Sequence, residues 1–83
     1  MSHYFYFARC SDGSLYSGSC VDLIDREKTH NAGRGAKYTR SRLPIRFVYH
    51  EAFQTKSEAM KREAEVKRWT KERKEQLVAG QKS

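Results

Sequence analysis

No apolar run in this chain approaches the roughly 20 residues that a membrane-spanning helix needs, so membranes are not expected among its partners. Cysteine is scarce. Cys10 and Cys20 are the only two, with no CxxC spacing and no paired histidines, and this excludes a zinc site. Met1-Ser2-His3 runs straight into an aromatic strand with no leader pattern. A cytoplasmic location follows as the expectation, with both thiols reduced and buried. Proline occurs once, and there is neither an internal repeat nor a low-complexity linker. Apolar residues make up only 37% of 83 positions. A single domain of that length buries roughly 60–65% of its unfolded surface, so its core is thin. We expect one domain over residues 1–83, with its core at about 3–78 and a frayed tail at 79–83.

Acid is missing where base is dense. Lys28, Arg34, Lys37, Arg40, Arg42 and Arg46 fall between residues 28 and 50, a stretch without a single Asp or Glu. Over the whole chain seventeen Lys and Arg face ten Asp and Glu, giving a net charge of +7 and a pI near 9.7. A single-sign block repels itself unless a ligand anion compensates it, and the usual polyanion is nucleic acid.

Residues 3–10 are dense in aromatics, as in a strand covered on both faces. Asp12-Gly13 then favours a hairpin turn, with a return strand over residues 15–18. Residues 22–32 read as a helix: Asp22 sits in its first turn, Leu23 and Ile24 supply the apolar face, and Asn31-Ala32-Gly33 is the stop. Residues 33–44 read as a loop, and residues 45–53 as the third strand. Thr55 and Glu58 have capping-box spacing for a second helix reaching about Arg68. Thr70 caps a third helix that ends near Val78. The order ββαβαα predicts an α+β domain, a three-stranded antiparallel sheet flanked by helices.

Three groups of residues could carry chemistry. Glu63 shares a helix face with Ala59 and Val66, Met60 beside them, and a carboxylate on an apolar stripe is costly unless paired or metal-bound. The plain alternative is a position at the stripe's edge, paired with an arginine. Arg26 and His30 are four apart and project side by side, suited to phosphate binding and proton transfer, or simply to a solvated face. Tyr6 and Tyr16 lie on adjacent hairpin strands, where core packing is the ordinary use of such a pair.

Tyr4-Phe5-Tyr6, then Tyr16-Ser17-Gly18 about ten residues on, resemble the two signatures of the GIY-YIG nucleases. Asp22-Leu23, Arg26 and His30-Asn31 match the next block. Gly33-x-Gly35-Ala36-Lys37-Tyr38-Thr39-Arg40 and the run from Ser57 to Lys67 are similar to the small single-domain bacterial branch, the UPF0213 group. The resemblance spans about residues 3–78. It implies an endonuclease hydrolysing DNA phosphodiester bonds, with DNA repair or recombination as the expected setting. Glu63 would be the sole protein ligand of Mg2+ or Mn2+. Arg26 would hold the scissile phosphate. Tyr16 would take a proton from the attacking water or orient it, and Tyr6 and His30 would position phosphate or assist proton transfer. Arg34, Lys37, Tyr38, Arg40, Arg42 and Arg46 would grip the nucleic acid, RNA remaining open beside DNA. A monomer without a small-molecule cofactor is expected.

The chain departs from the family pattern in places. Tyr4 and Phe5 replace Gly and Ile in the first signature, and Ser17 replaces Ile in the second. Ser19 stands where the excision-repair nickases carry lysine. Asp25-Arg26-Glu27 replaces Arg-Arg-Leu: Glu27 removes a core leucine, and both acids soften the field at Arg26. Two other classes of function compete. One is a catalytically weak nucleic-acid-binding module using loop 33–46, with Tyr38 stacking on a base. The other is an interaction protein with Trp69 as an exposed anchor, although Trp69 continues the helical stripe from Val66 into the core.

Overall fold

β1 (His3–Arg9) is the middle strand, and its consecutive aromatics leave it no polar face. It pairs antiparallel with β2 (Leu15–Cys20) on one side and β3 (Arg46–Phe53) on the other, in the order β2-β1-β3. The computed structural model describes residues 2–80. Alternation along β1 sends side chains to two different cores. Phe5 and Phe7 pack with Val66 and Val78, while Tyr6 and Ala8 pack with Cys10 and Ile45. Burying one such side chain stabilises the fold by about 1.5–3 kcal/mol. The hairpin turn is as expected: Asp12 Oδ1 accepts from Ser14 N at 3.0 Å, and Gly13 takes φ +86°, a conformation glycine adopts without strain. The return strand is two residues longer than the sequence implies.

α1 (Leu23–Thr29) is capped by Asp22, whose side chain accepts from Asp25 N at 2.9 Å. Its apolar face is smaller than the sequence suggests. Leu23 packs on the second core, but Ile24 is 72% exposed and Val21 is exposed too. Glu27 supplies a substitute for the missing leucine. Its carboxylate accepts the Phe47 backbone N–H at 2.7 Å, tying α1 to β3 through a charge-assisted hydrogen bond. Beyond Thr29 the chain winds wider, as a π turn over His30–Arg34 that ends through Gly33 at φ +80°. Residues 33–44 are not wholly loop: α2 (Lys37–Arg40) forms within them.

α3 (Lys56–Lys67) has both halves of the capping box, Thr55 with Glu58. It lies across β1 and β2. α4 (Lys71–Gly80) starts at Thr70, whose Oγ1 accepts from Arg73 N at 3.2 Å. Arg9 fastens it to β1 by two parallel hydrogen bonds to Glu75, the one from Nη2 2.6 Å long. Ala79 and Gly80 are helical rather than frayed, and the remainder of the expected tail, 81–83, lies outside the described residues. Trp69 packs at the edge of the first core, with the guanidinium groups of Arg62 and Arg73 at 5.0 and 4.0 Å from its ring. Cys10 is buried, Cys20 is only half-buried, and both are free thiols.

Phe7→Ala is expected to cost about 3–5 kcal/mol, a large share of the roughly 5–15 kcal/mol available to a domain. Ile24→Ser is expected to stay within about 0.5 kcal/mol of the parent. Urea denaturation measures both, and a large loss from Ile24→Ser would put that residue back in the core.

Candidate active site

Tyr6 stands at the centre of β1 with its side chain fully buried. Its Oη lies 2.9 Å from Nε2 of His30, a residue equally buried in the π turn. His30 Nδ1 in turn lies 2.9 Å from Thr39 Oγ1 on α2. Phe47 stacks on Tyr6 with ring centroids 4.1 Å apart. Two glycines make this packing possible. A Cβ on Gly18, opposite Tyr6 across β1 and β2, would sit 2.5 Å from Tyr6 Oη. A Cβ on Gly35 would sit 2.1 Å from His30 Nδ1. Burial pushes the Tyr6 phenol up to about 12, against the opposing pull of the Arg26 guanidinium beside it. Burial, with the Arg26 charge adding to it, also pushes His30 below its ordinary 6.5. Near neutral pH the pair is therefore an uncharged phenol bonded to an uncharged imidazole.

Arg26 comes from α1, one turn before His30, and is half-buried. Among the described residues its Nε is the one buried side-chain nitrogen or oxygen without a hydrogen-bond partner. A buried guanidinium nitrogen with no acceptor is costly and suits an anion arriving from outside. Tyr16 lies nearby on β2, its ring centroid 5.6 Å from that of His30 and 6.4 Å from that of Tyr6. Tyr38 stacks against Tyr16 at 6.0 Å with 23° between the planes.

Glu63 lies at the edge of the α3 stripe rather than in its middle. Its side chain is 20% exposed, and its partner is Lys67 at 2.7 Å. The arginine of this helix, Arg62, instead holds Glu51 at 2.8 Å and Glu65 at 2.6 Å. Met60 points outward. Lys67 lines a cleft of about 320 Å³ together with Leu15, Tyr16, Ser17, Tyr38 and Lys74. Through Lys67, the Glu63 carboxylate stands one side chain away from Tyr16. No group of three or more His, Cys, Asp or Glu able to hold a metal occurs among the described residues. The donor set therefore fits only a hard cation that keeps most of its water and needs few protein oxygens, as Mg2+ does. Within that limit Glu63 fits: it is a half-buried oxygen donor that already attracts one cation, the Lys67 ammonium.

The basic segment divides in two. Arg34, Lys37, Arg40 and Arg46 are exposed. Arg42 is engaged: its Nε donates to Asp12 at 3.0 Å, its Nη1 donates to the Tyr38 carbonyl at 2.8 Å, and the guanidinium covers the Tyr38 ring at 3.8 Å. A base could stack on that face of Tyr38 only by displacing Arg42. Several participants were not singled out by the sequence. Lys74 carries no local signal, and Thr39 and Lys67 stand within the quoted runs without a role of their own there. Gly18 and Gly35 stand within the quoted motifs, but only the three-dimensional packing shows what they make room for. Asn31 also gains a function: its side-chain amide exchanges two hydrogen bonds, 2.7 and 2.9 Å, with the backbone of Ile45, which anchors the start of β3.

Comparison with known proteins places this geometry among relatives. The family model described as the GIY-YIG catalytic domain matches residues 2–76. A UPF0213 protein of Bacillus pumilus (strain SAFR-032) is 54% identical over 77 residues, which cover 93% of this chain and 79% of that one. A UPF0213 protein of Staphylococcus aureus (strain Mu3) is 51% identical over 77 residues, covering 93% and 94% respectively. The solution NMR structure of a UPF0213 protein from Bacillus halodurans is similar at 51% identity and a TM-score of 0.61, covering 95% of this chain and 84% of that one. A protein from E. faecalis, also solved by NMR, is 44% identical with a TM-score of 0.64, covering 96% and 85%.

Two outcomes follow from the buried pair. Because His30 titrates below 6.5 when folded, the unfolded chain binds protons more readily, so stability is full above about 6.5 and declines as pH falls below it. The urea midpoint is expected to drop between pH 7.5 and pH 5.5, where carboxylates are still ionised, and to drop less in His30→Asn. Gly35→Ala is expected to cost about 1–3 kcal/mol through overpacking against the imidazole, whereas an unchanged midpoint would mean that the ring is free to move.

Proposed function

This chain belongs to the GIY-YIG family and its small UPF0213 branch, and from that membership we propose that it is a divalent-metal-dependent endonuclease hydrolysing DNA phosphodiester bonds. The observation that carries the proposal is Arg26, whose buried Nε has no acceptor and whose guanidinium lies beside Tyr6. A guanidinium suits a phosphate because its planar fork matches two oxygens and its charge is permanent. It would hold the scissile phosphate and oppose the negative charge that grows in the transition state.

Tyr6, fully buried and protonated, acts by holding Arg26 and not by touching water. Its hydroxyl is kept in place by His30, so His30 also works from behind the phosphate. Tyr16 is half-buried and lines the cleft, which makes it the phenol placed to orient the attacking water and receive its proton. Glu63 would hold Mg2+ or Mn2+, and Lys67 would yield the carboxylate to that ion. A bound cation of this kind supplies Lewis-acid stabilisation of the leaving oxygen. The exposed Arg34, Lys37, Arg40 and Arg46 would contact the backbone on either side, reading phosphate charge and not base sequence. RNA phosphates carry the same charge and remain a candidate substrate. DNA repair or recombination is the setting that membership in this nuclease family suggests.

The ion pair between Glu63 and Lys67 favours a second reading, in which the carboxylate stays neutralised and the chain binds nucleic acid while cutting it weakly or not at all. One experiment separates the two. Labelled single-stranded, duplex and branched DNA are incubated with Mg2+, Mn2+ or EDTA, using the parent chain, Glu63→Gln and Arg26→Ala. Metal-dependent cutting is expected, reduced by about 10²–10³-fold in each variant. Salt-sensitive binding with no cutting in any metal would replace the nuclease by the binding module.

A further inference from the structure

Thr39 is fully buried on α2, and no chemistry has yet been attached to it. Its Oγ1 has two polar neighbours, each at 2.9 Å: the carbonyl oxygen of Ala36 and Nδ1 of His30. A carbonyl oxygen can only accept a hydrogen bond. The Thr39 hydroxyl proton is therefore directed at Ala36, and toward His30 the same oxygen acts as an acceptor. An acceptor needs a donor opposite, so His30 Nδ1 carries hydrogen. A neutral imidazole has one N–H, which leaves Nε2 bare to accept from Tyr6 Oη at 2.9 Å. The Ala36 carbonyl, which also accepts from the backbone N–H groups of Thr39 and Arg40 at 3.1 and 3.2 Å, ends the chain as its acceptor. Tyr6 donates to His30, His30 donates to Thr39, and Thr39 donates to Ala36.

We propose that Thr39 is a positioning residue that locks His30 as the Nδ1–H tautomer and so sets the polarity with which Tyr6 meets Arg26. With its hydrogen committed to His30, Tyr6 Oη turns lone pairs toward the guanidinium beside it. The opposite tautomer would place an N–H on Nε2 and force the Tyr6 proton outward, where it would face the N–H groups of Arg26 donor against donor. Thr39 therefore acts through two intervening side chains on the residue proposed to hold phosphate. Only this last link rests on the nuclease reading, because the tautomer is a property of the chain by itself.

The test is 15N NMR of the imidazole nitrogens at pH 8 in the whole chain, with cleavage followed in parallel. The parent chain is expected to show His30 with a protonated Nδ1 and a bare Nε2. Thr39→Val, which keeps the shape and removes the hydroxyl, is expected to move the proton onto Nε2. Thr39→Ser is expected to restore the parental spectrum. Should Thr39→Val fail to fold, Thr39→Ala gives the same readout. Cleavage is expected to fall by about 10²-fold in Thr39→Val, the effect of a misplacement of about 1 Å, and to recover in Thr39→Ser. A parent chain carrying the proton on Nε2, or a tautomer unmoved by loss of the hydroxyl, overturns the proposal. The expected tautomer change in a chain that cuts no DNA supports it and overturns the nuclease reading instead.

Discussion

The hydrogen bond from Tyr6 to His30 is the contact on which the rest of the site depends. It joins the centre of the sheet to a π turn 24 residues away, inside a region that water does not reach. A buried polar group that loses its partner costs about 1–3 kcal/mol, so neither residue can drift without destabilising the fold. The same bond explains two glycines at once. Gly18 leaves room for the Tyr6 hydroxyl and Gly35 for the imidazole. His30 itself continues α1, its backbone N–H bonded to the carbonyls of Arg26 and Glu27, so helical spacing from Arg26 already turns it inward to Tyr6.

The ion pairs lie apart from that bond. Glu63 with Lys67 and Glu65 with Arg62 pair along α3, whereas Asp12 with Arg42, Glu51 with Arg62 and Glu75 with Arg9 pair between elements. Pairs of this exposure contribute at most about 1 kcal/mol each. Their larger effect is on geometry. At Glu51 burial works to raise the carboxyl, but the hydrogen bonds from Arg62 and Tyr49 outweigh it and hold the group below its ordinary range. Tyr49 is pushed to about 12 by burial and by its bond to Glu51. This closed network joins β3 to α3 on the face away from Tyr6. Arg34, Lys37, Arg40 and Arg46, in contrast, project from the acid-free segment into solvent, where their field can act on a polyanion.

Legibility in the sequence followed the range of the interactions. The aromatic run of β1, the Asp12-Gly13 turn and the Thr55-Glu58 capping box are local devices, and each appears where the sequence put it. The apolar faces of α1 and α3 were harder to place. Ile24 and Met60 have helical spacing compatible with burial, yet both lie outside, because the sheet reaches only as far as Leu23 on α1 and the Ala59–Val66 line on α3. Glu63 shifts to the edge of its stripe for the same reason. Glu27 was legible as the loss of a leucine but not as a gain, since its acceptor function needs the Phe47 N–H, which β3 brings alongside.

The sequence by itself determined the order of elements, the central strand with two apolar faces and the acid-free basic segment, and by its resemblance to the GIY-YIG motifs it nominated Tyr6, Tyr16, Arg26, His30 and Glu63 as candidates. All of these are read from composition, spacing or motif, which act within a few residues. Only the tertiary structure decided that Tyr6, His30, Thr39 and Ala36 form one directed chain of hydrogen bonds. It alone tied Arg42 to Asp12 and Tyr38, and paired Glu63 with Lys67 at the edge of the cleft. The physical reason is that hydrogen-bond direction and burial are properties of groups brought together from distant positions, and no local pattern encodes which partner each will meet.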